Sequence, residues 1–160
     1  MTVMRLQSRR RQDAGFTLVE LLVMILLLGI LSALTLPKFA ISLSRYQLDT
    51  SARLLAADIR MAQEMTLNSE SGDEYRIYFY RERYSLLCNT KILNTVHLPG
   101  NLTITAAVFG SSQERVWFNW GSVAPKPGGG TVILFDPVTG LESRVIVKPV
   151  TGRVRTENRW

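Results

Sequence analysis

The feature that most constrains this 160-residue chain is an apolar run close to its N-terminus. Residues 16–36 read FTLVELLVMILLLGILSALTL and carry a single charged side chain, that of Glu20. As an α-helix this run would measure about 31 Å, which matches the hydrocarbon core of a bilayer. A small globular domain cannot cover so much apolar surface, so lipid or copies of the same helix must bury it.

The charge distribution orients this segment. The formal net charge of +6 is made up of +3 over residues 1–15, −1 over residues 16–143 and +4 over residues 144–160. Because Arg9, Arg10 and Arg11 lie just before the apolar run, the positive-inside rule places residues 1–15 in the cytoplasm and the rest outside it. A plain signal anchor is one alternative. A cleaved secretory signal is another, but no small-x-small site follows the run.

A short motif at the start of the run narrows these alternatives. Gly15 stands at the boundary between polar and apolar residues, and Phe-Thr-Leu-Val-Glu follows it, ending at Glu20. A carboxylate within a membrane helix is costly and is usually functional. Together with the basic leader and the downstream Pro37, this order of residues resembles the type IV prepilin signature.

The resemblance implies how the chain is processed and assembled. A prepilin peptidase would cut between Gly15 and Phe16 on the cytoplasmic side, and the new Phe16 amine would be N-methylated. Glu20 would then pair with the Phe16 amine of a neighbouring subunit, which agrees with the need of a buried carboxylate for a cationic partner. The alternative for Glu20 is a protonated or snorkelling carboxyl at the membrane edge.

The predicted helix continues well beyond the apolar run. We expect a kink at Pro37, because proline removes a hydrogen bond and clashes with the preceding turn. An amphipathic stripe follows, and a polar run over residues 68–72 predicts the end of the helix. The residues of the stripe are Leu48, Ala52, Leu55, Ile59 and Ala62. A helix from residue 16 to residue 68 would be roughly 80 Å long.

The second half of the chain has the pattern of a β domain. Aromatic and β-branched residues predict strands over 75–80, 84–88, 102–108, 116–120, 131–135 and 144–148, with a short last strand over 153–155. Residues 136–140 (DPVTG) suit a hairpin turn, and residues 125–130 (PKPGGG) predict a loop. Trp117 and Trp120 are expected to pack on the sheet.

These elements predict the fold class and the divisions of the chain. The fold class is α+β, with a long N-terminal transmembrane and amphipathic helix packed on a C-terminal antiparallel sheet, as in pilins. The predicted divisions are a cleaved cytoplasmic leader (1–15), a transmembrane or filament-core helix (16–37), an amphipathic continuation of that helix (38–70) and a β-rich globular domain with a basic tail (71–160).

The order of motifs in the β region resembles a more specific family. The β region resembles the GspH/FimT family of minor pilins and pseudopilins in the order of three motifs. These motifs are HLPG at 97–100, VWFNWG at 116–121 and TGRVR at 151–155. That resemblance implies a structural subunit of a type II secretion pseudopilus or a type IV pilus. The implied partners are prepilin peptidase, other pilins in a filament and the inner-membrane assembly platform. The implied location is the inner membrane, with a single pass and the C-terminal domain outside the cytoplasm, and afterwards the filament, at the cell surface or in the periplasm.

Catalytic and metal chemistry are not expected. The chain has one Cys and one His, so it can form neither an internal disulfide nor a zinc site built on several cysteines. His97 precedes Leu-Pro-Gly at an expected strand end, where it has no obvious catalytic partner. We therefore predict a protein that is not an enzyme and that needs no cofactor.

The basic C-terminal tail leaves two interpretations open. In a strand, Arg153 and Arg155 would project from the same face, and Lys148 and Arg159 would extend the basic patch. Guanidinium groups fit phosphates, and in the FimT branch of the family a similar Gly-Arg-x-Arg tail contributes to DNA binding during natural transformation. The structural alternative is a charged edge strand that resists edge-to-edge pairing. A third, different possibility is a membrane-anchored domain that never polymerises.

Overall fold

A computed structural model of the chain describes residues 16–70 and 72–160. The chain divides into two compact units, Met1–Lys38 and Phe39–Trp160. One helix, α1 (Leu18–Leu67), contributes to both units, and ten strands follow it in the second. The predicted leader, including the cleavage position at Gly15, lies outside the described residues.

The described part of the first unit is helical and apolar. Its large side chains are exposed, as those of Leu18, Ile25 and Leu28 show with 76%, 59% and 62% of their surface accessible. Within residues 16–70 and 72–160, no single helix has the length and hydropathy expected of a membrane span. The consecutive segments Leu18–Ala33 and Lys38–Leu67 reach that length and hydropathy only when they are taken together as an interrupted pair.

The second unit contains two antiparallel five-stranded sheets rather than the single sheet expected from the sequence. The first sheet has the order β3-β2-β1-β6-β7 and the second has the order β10-β9-β8-β4-β5. The strands are β1 (Tyr75–Phe79), β2 (Arg83–Cys88), β3 (Lys91–His97), β4 (Thr103–Phe109), β5 (Ser112–Gln113), β6 (Arg115–Phe118), β7 (Pro125–Lys126), β8 (Gly130–Phe135), β9 (Glu142–Val147) and β10 (Val154–Arg159).

The core lies between the second half of α1 and the inner faces of both sheets. The predicted apolar stripe of the helix is confirmed, since all five of its side chains are fully buried there. The first sheet contributes residues such as Ile77 and Phe118, and the second contributes residues such as Phe109 and Leu134. The predicted α+β class, a helix packed on antiparallel β structure, is therefore confirmed.

The strand predictions failed where local composition was misleading. Strand β3 was missed because its residues are largely exposed at a sheet edge, so they lack the alternation of a half-buried strand. The predicted loop over 125–130 contains the short strand β7, and Gly130 begins β8. At the C-terminus β10 extends to Arg159.

Trp120 lies beyond β6 with 63% of its surface exposed, and its indole N–H donates to the Ser69 carbonyl oxygen.

The β8–β9 hairpin forms as its sequence predicts. Gly140 has a φ of +72°, a left-handed conformation that glycine adopts without strain, and its N–H donates to the Asp136 carbonyl oxygen. The Asp136 side chain accepts a hydrogen bond from the Val138 N–H at 2.9 Å. This turn therefore holds the Asp136 carboxylate in a fixed position, directed toward the helix.

Candidate functional site

The N-terminal segment begins with a capped helix. Thr17 precedes the first helical residue, and its Oγ1 accepts a hydrogen bond of 3.2 Å from the Glu20 N–H. This is the N-cap arrangement, in which a threonine side chain satisfies one of the backbone donors left unpaired in the first turn. Glu20 is the acidic residue of that turn, where the helix dipole favours a negative charge.

The predicted processing and assembly residues lie around this cap. Phe16 comes immediately before Thr17 and has 75% of its surface exposed, and the Glu20 side chain is also exposed. Pro37 falls within the bounds of α1, and the kink expected there remains a prediction. The structure thus places Phe16 and Glu20 at the same helix end, with their predicted roles in processing and assembly still to be tested.

A buried hydroxyl–carboxylate cluster joins the helix to the β8–β9 turn. Ser44 on α1 donates to Asp136 Oδ2 at 2.5 Å, and Thr139 donates to the same oxygen at 2.9 Å. The two hydroxyl oxygens lie 2.8 Å apart. Burial disfavours the charged form of Asp136, but the bonds from Ser44, Val138 and Thr139 outweigh it and lower the pKa of this carboxyl. The cluster therefore holds an ionised Asp136 against the helix.

A second anchor joins the helix to the turn before β10. The Gln63 side-chain amide donates to the carbonyl oxygens of Val123 at 3.0 Å and Gly152 at 2.8 Å. Gly152 has a φ of +62°, and a Cβ atom there would lie 2.1 Å from the Val123 oxygen. The guanidinium of Arg60 donates to the Val154 carbonyl oxygen at 3.0 Å. These bonds fix the start of the C-terminal tail on α1.

Two further polar contacts tie the domain to the helix. The buried Tyr84 hydroxyl donates to Asp58 at 2.5 Å, and burial together with this hydrogen bond strongly raises the Tyr84 pKa. Asn158 in β10 donates to Asp49 at 3.0 Å, and this bond is the main cause of the lowered Asp49 pKa. Both bonds hold the β domain to α1.

The tail arginines are largely paired with glutamates. Arg155 forms an ion pair with Glu157 on the outer face of β10. On the neighbouring strand β9, Glu142 accepts hydrogen bonds from Arg144 at 2.7 and 3.1 Å, and Arg159 lies 3.9 Å from the same carboxylate. Because β10 is the edge of the second sheet, these charges line an exposed sheet margin.

Arg153 and Lys148 occupy a different position. Arg153 precedes β10, and its carbonyl oxygen accepts a hydrogen bond from the Lys148 N–H at 3.0 Å. Both side chains are exposed at the β9–β10 turn, and among the described residues neither forms an ion pair. The four predicted tail residues therefore do not make one uniform basic patch: Arg155 is paired with Glu157, Arg159 shares the Glu142 carboxylate with Arg144, and Arg153 and Lys148 form no ion pair with the described residues.

The residues that hold the helix to the β domain were not found from the sequence. Ser44, Gln63 and Asp136 are far apart in the chain, and single polar residues of these types carry no local signal of a long-range contact. The only available signal was the turn chemistry of Asp136, which predicted the hairpin but not its helical partner. Over the described parts of the chain, no group of three or more His, Cys, Asp or Glu side chains is placed to bind a metal ion.

Comparison with known proteins agrees with the motif and the fold. Residues 10–36 match the prokaryotic N-terminal methylation motif. No curated protein sequence matches the chain significantly. The minor pseudopilin EpsH from the type 2 secretion system of Vibrio cholerae is similar in structure, with a TM-score of 0.55 and 13% sequence identity over 70% of this chain and 97% of EpsH. The chain therefore carries a prokaryotic N-terminal methylation motif and has a fold similar to that of the minor pseudopilin EpsH.

Proposed function

We propose that this protein is a minor subunit of a type II secretion pseudopilus or of a related type IV pilus. The observation that carries the proposal is the helical segment from Leu18 onward, whose large apolar side chains are exposed and whose first turn holds a single carboxylate, Glu20. Apolar side chains at this density need lipid or other helices around them. The methylation motif overlaps this segment. It favours burial of the helix first in a membrane and then among the helices of a filament.

The proposed pathway begins in the cytoplasmic membrane, with a single pass and the β domain outside the cytoplasm. Prepilin peptidase cuts between Gly15 and Phe16, and the Phe16 amine is N-methylated. The assembly platform then moves the subunit from lipid into a filament. There Glu20 pairs with the Phe16 amine of a neighbouring subunit, because an ionised carboxylate in apolar surroundings is stable only beside a positive charge.

The firm attachment of the β domain to α1 supports this role. Gln63, Ser44 and Asp58 each bind a residue of the β domain through a side-chain hydrogen bond. A subunit that enters a filament through its helix must carry its domain in a set orientation. These bonds lie between residues 44 and 63 of the helix and hold the β domain to that part of it.

The assembly step can be tested with Glu20→Gln in the full chain, expressed with its peptidase and assembly platform. We expect the variant to insert into the membrane and to be processed, as shown by the mass of its N-terminal peptide, but to be missing from sheared filaments. Glu64→Gln is the matched control, because Glu64 is exposed on the same helix outside the motif. Equal incorporation of both variants would show that assembly does not depend on Glu20, whereas absence of the wild type and of both variants from sheared filaments would show that the chain is a membrane-anchored domain and not a filament subunit.

The alternative function is a DNA-binding minor pilin for natural transformation. The exposed side chains of Lys148 and Arg153 support it, whereas the ion pairs of Arg155 and Arg159 with glutamates oppose it. The full chain in detergent micelles can be titrated into labelled double-stranded DNA beside Arg153→Ala/Arg155→Ala. DNA binding that falls steeply with salt and is lost in the variant would favour this alternative. Equal weak binding by both chains would favour the structural role alone.

A further inference from the structure

In the part of α1 that carries the β domain, a row of large apolar side chains faces away from that domain. We call this row the outer stripe, and its members are Phe39, Leu43, Tyr46 and Leu54. Their spacings place them on one side of an α-helix, and their exposed fractions are 68%, 44%, 70% and 46%. The β domain covers the opposite side of α1, where Ser44, Leu48 and Leu55 are buried. The outer stripe is therefore an apolar surface that the domain itself does not cover.

A cation without an ion pair lies beside the outer stripe. Over residues 39–54 the charged side chains are those of Arg45, Asp49 and Arg53. The Asp49 carboxylate accepts hydrogen bonds from Arg53 at 2.8 Å and from Asn158 at 3.0 Å, so it is occupied within the domain. Arg45 precedes Tyr46, is exposed and forms no ion pair with the residues that the structure describes. Its guanidinium is therefore available to an anion outside the chain.

The chain sequence keeps the outer stripe close to the end of the apolar run. Phe39 follows residue 36, the last of that run, by three residues, which span at most about 11 Å. If a membrane holds the run, Phe39 is within reach of the lipid headgroups. Aromatic rings are typical of the membrane–water interface, and arginine is attracted to anionic headgroups there. The composition of the outer stripe and its flank thus fits a bilayer surface.

We propose that, before assembly, the outer stripe lies on the non-cytoplasmic surface of the membrane and Arg45 binds an anionic phospholipid headgroup. This inference rests on the membrane placement proposed above. A helix that rose along the membrane normal would carry Tyr46 about 15 Å beyond residue 36, above the headgroups. Contact with lipid therefore requires this part of α1 to run along the surface, which the kink expected at Pro37 permits. The β domain, on the other side of α1, then faces away from lipid.

The experiment places the full chain, one copy per disc, in lipid nanodiscs of phosphatidylcholine and phosphatidylglycerol. One copy per disc keeps the helices of other subunits away from the outer stripe. A nitroxide spin label is attached at Thr50→Cys in a Cys88→Ser background, because Thr50 is exposed four residues after Tyr46 and is not a member of the stripe. Collisions of the label with a water-soluble nickel complex then report its exposure to water.

Two further labels provide the references for that measurement. Val138→Cys, exposed on the β8–β9 turn that binds the opposite side of α1, is the matched water reference. Leu26→Cys, within the apolar run, is the lipid reference. We expect the nickel complex to reach the Thr50 label at least about threefold less than the Val138 label. Circular dichroism checks that each variant keeps its fold.

Failure of the membrane placement and failure of this inference give different results. A Leu26 label as accessible as the Val138 label would show that the apolar run is not in lipid, which contradicts the proposed function. A protected Leu26 label together with a Thr50 label as accessible as the Val138 label would overturn this inference alone. Helices of neighbouring subunits would then be the cover of the outer stripe.

Arg45→Glu tests the headgroup contact in the chain labelled at Thr50. Loss of one cation near an anionic surface should disfavour the bound state at least about fivefold, so access of the nickel complex to the label should rise. Discs of phosphatidylcholine alone should cause a similar rise. Arg83→Glu, at an exposed arginine of β2, is the matched control and should leave access unchanged. Equal effects of the two variants, or equal access in the two kinds of disc, would overturn the binding of an anionic headgroup by Arg45.

Discussion

The side-chain amide of Gln63 lies 2.8 Å from the carbonyl oxygen of Gly152, so one helical residue holds the turn that precedes the last strand. The same amide also donates to Val123, which places two loops of the β domain on a single point of the helix. An apolar stripe alone would let the domain slide along α1. Directional hydrogen bonds of this kind fix the position along the helix as well as the face.

Gly152→Ala should be strongly destabilising. Its Cβ would lie 2.1 Å from the Val123 oxygen and 2.6 Å from Gln63 Nε2, in a backbone conformation that is already unfavourable for alanine. We expect a loss of about 2–4 kcal/mol in the free energy of unfolding, measured by chemical denaturation of the full chain in micelles.

Gly140→Ala is the control for that measurement. Gly140 has a similar φ of +72°, but a Cβ there would meet nothing within 4 Å. Gly140→Ala should lower the free energy of unfolding only by the cost of backbone strain, about 1 kcal/mol. If the two substitutions cost the same, the close packing around Gly152 contributes nothing to stability.

The Ser44–Asp136 contact should make stability depend on acidic pH. The pKa of Asp136 is lowered in the folded chain, so its contribution is present above the ordinary aspartate pKa of about 3.9 and is lost as the pH falls through the folded value. Ser44→Ala should cost about 1–3 kcal/mol near neutral pH and should reduce that acid dependence.

Two outcomes decide whether the Ser44–Asp136 bond is responsible. Near neutral pH, the midpoint temperature of thermal unfolding should be lower for Ser44→Ala than for the wild type. In acid, the two midpoints should converge. A constant difference between wild type and Ser44→Ala across the whole range would show that the hydroxyl acts only by packing. Ser44→Thr, which keeps a hydroxyl donor, serves as the companion variant.

Tyr84 should remain protonated in alkali while the domain is folded. Burial and the bond to Asp58 raise the Tyr84 pKa, so the stability it provides is complete below the ordinary tyrosine pKa of about 10 and falls as the pH rises above it. In ultraviolet titration, part of the tyrosine absorbance of the folded chain should change at a higher pH than in the unfolded chain, because burial raises the pKa of Tyr84 and also that of Tyr75. Tyr84→Phe should reduce that part without removing it, and an unchanged titration curve would contradict the raised Tyr84 pKa.

Thr17 should stabilise the first turn of the helix. Thr17→Ala removes the acceptor for the Glu20 N–H, at a typical cost of about 1 kcal/mol. Hydrogen exchange of the Glu20 amide in micelles should then become roughly fivefold faster. Thr17→Ser keeps the acceptor and should exchange like the wild type, and exchange equal in all three chains would rule out the cap.

Much of the architecture could be predicted because it has short-range causes. The apolar run with one carboxylate, the amphipathic stripe from Leu48 to Ala62 and the turn at Asp136–Gly140 each depend on residues within a few turns or a few positions. Periodicity and turn chemistry report directly on such features. The prediction failed at β3, an exposed edge strand, and at β7, an edge strand of two residues, because both are stabilised by their neighbours and not by their own composition.

The sequence by itself therefore determined the long apolar N-terminal helix, its N-terminal methylation motif and the presence of an antiparallel β domain. Only the tertiary structure decided how that domain attaches to the helix and where its charge lies. Ser44, Gln63 and Tyr84 meet their partners through contacts between residues distant in the chain, which no local pattern encodes. Of the tail arginines, Arg155 pairs with Glu157 two residues along the same strand, and strand pairing places Arg159 opposite Glu142 on β9.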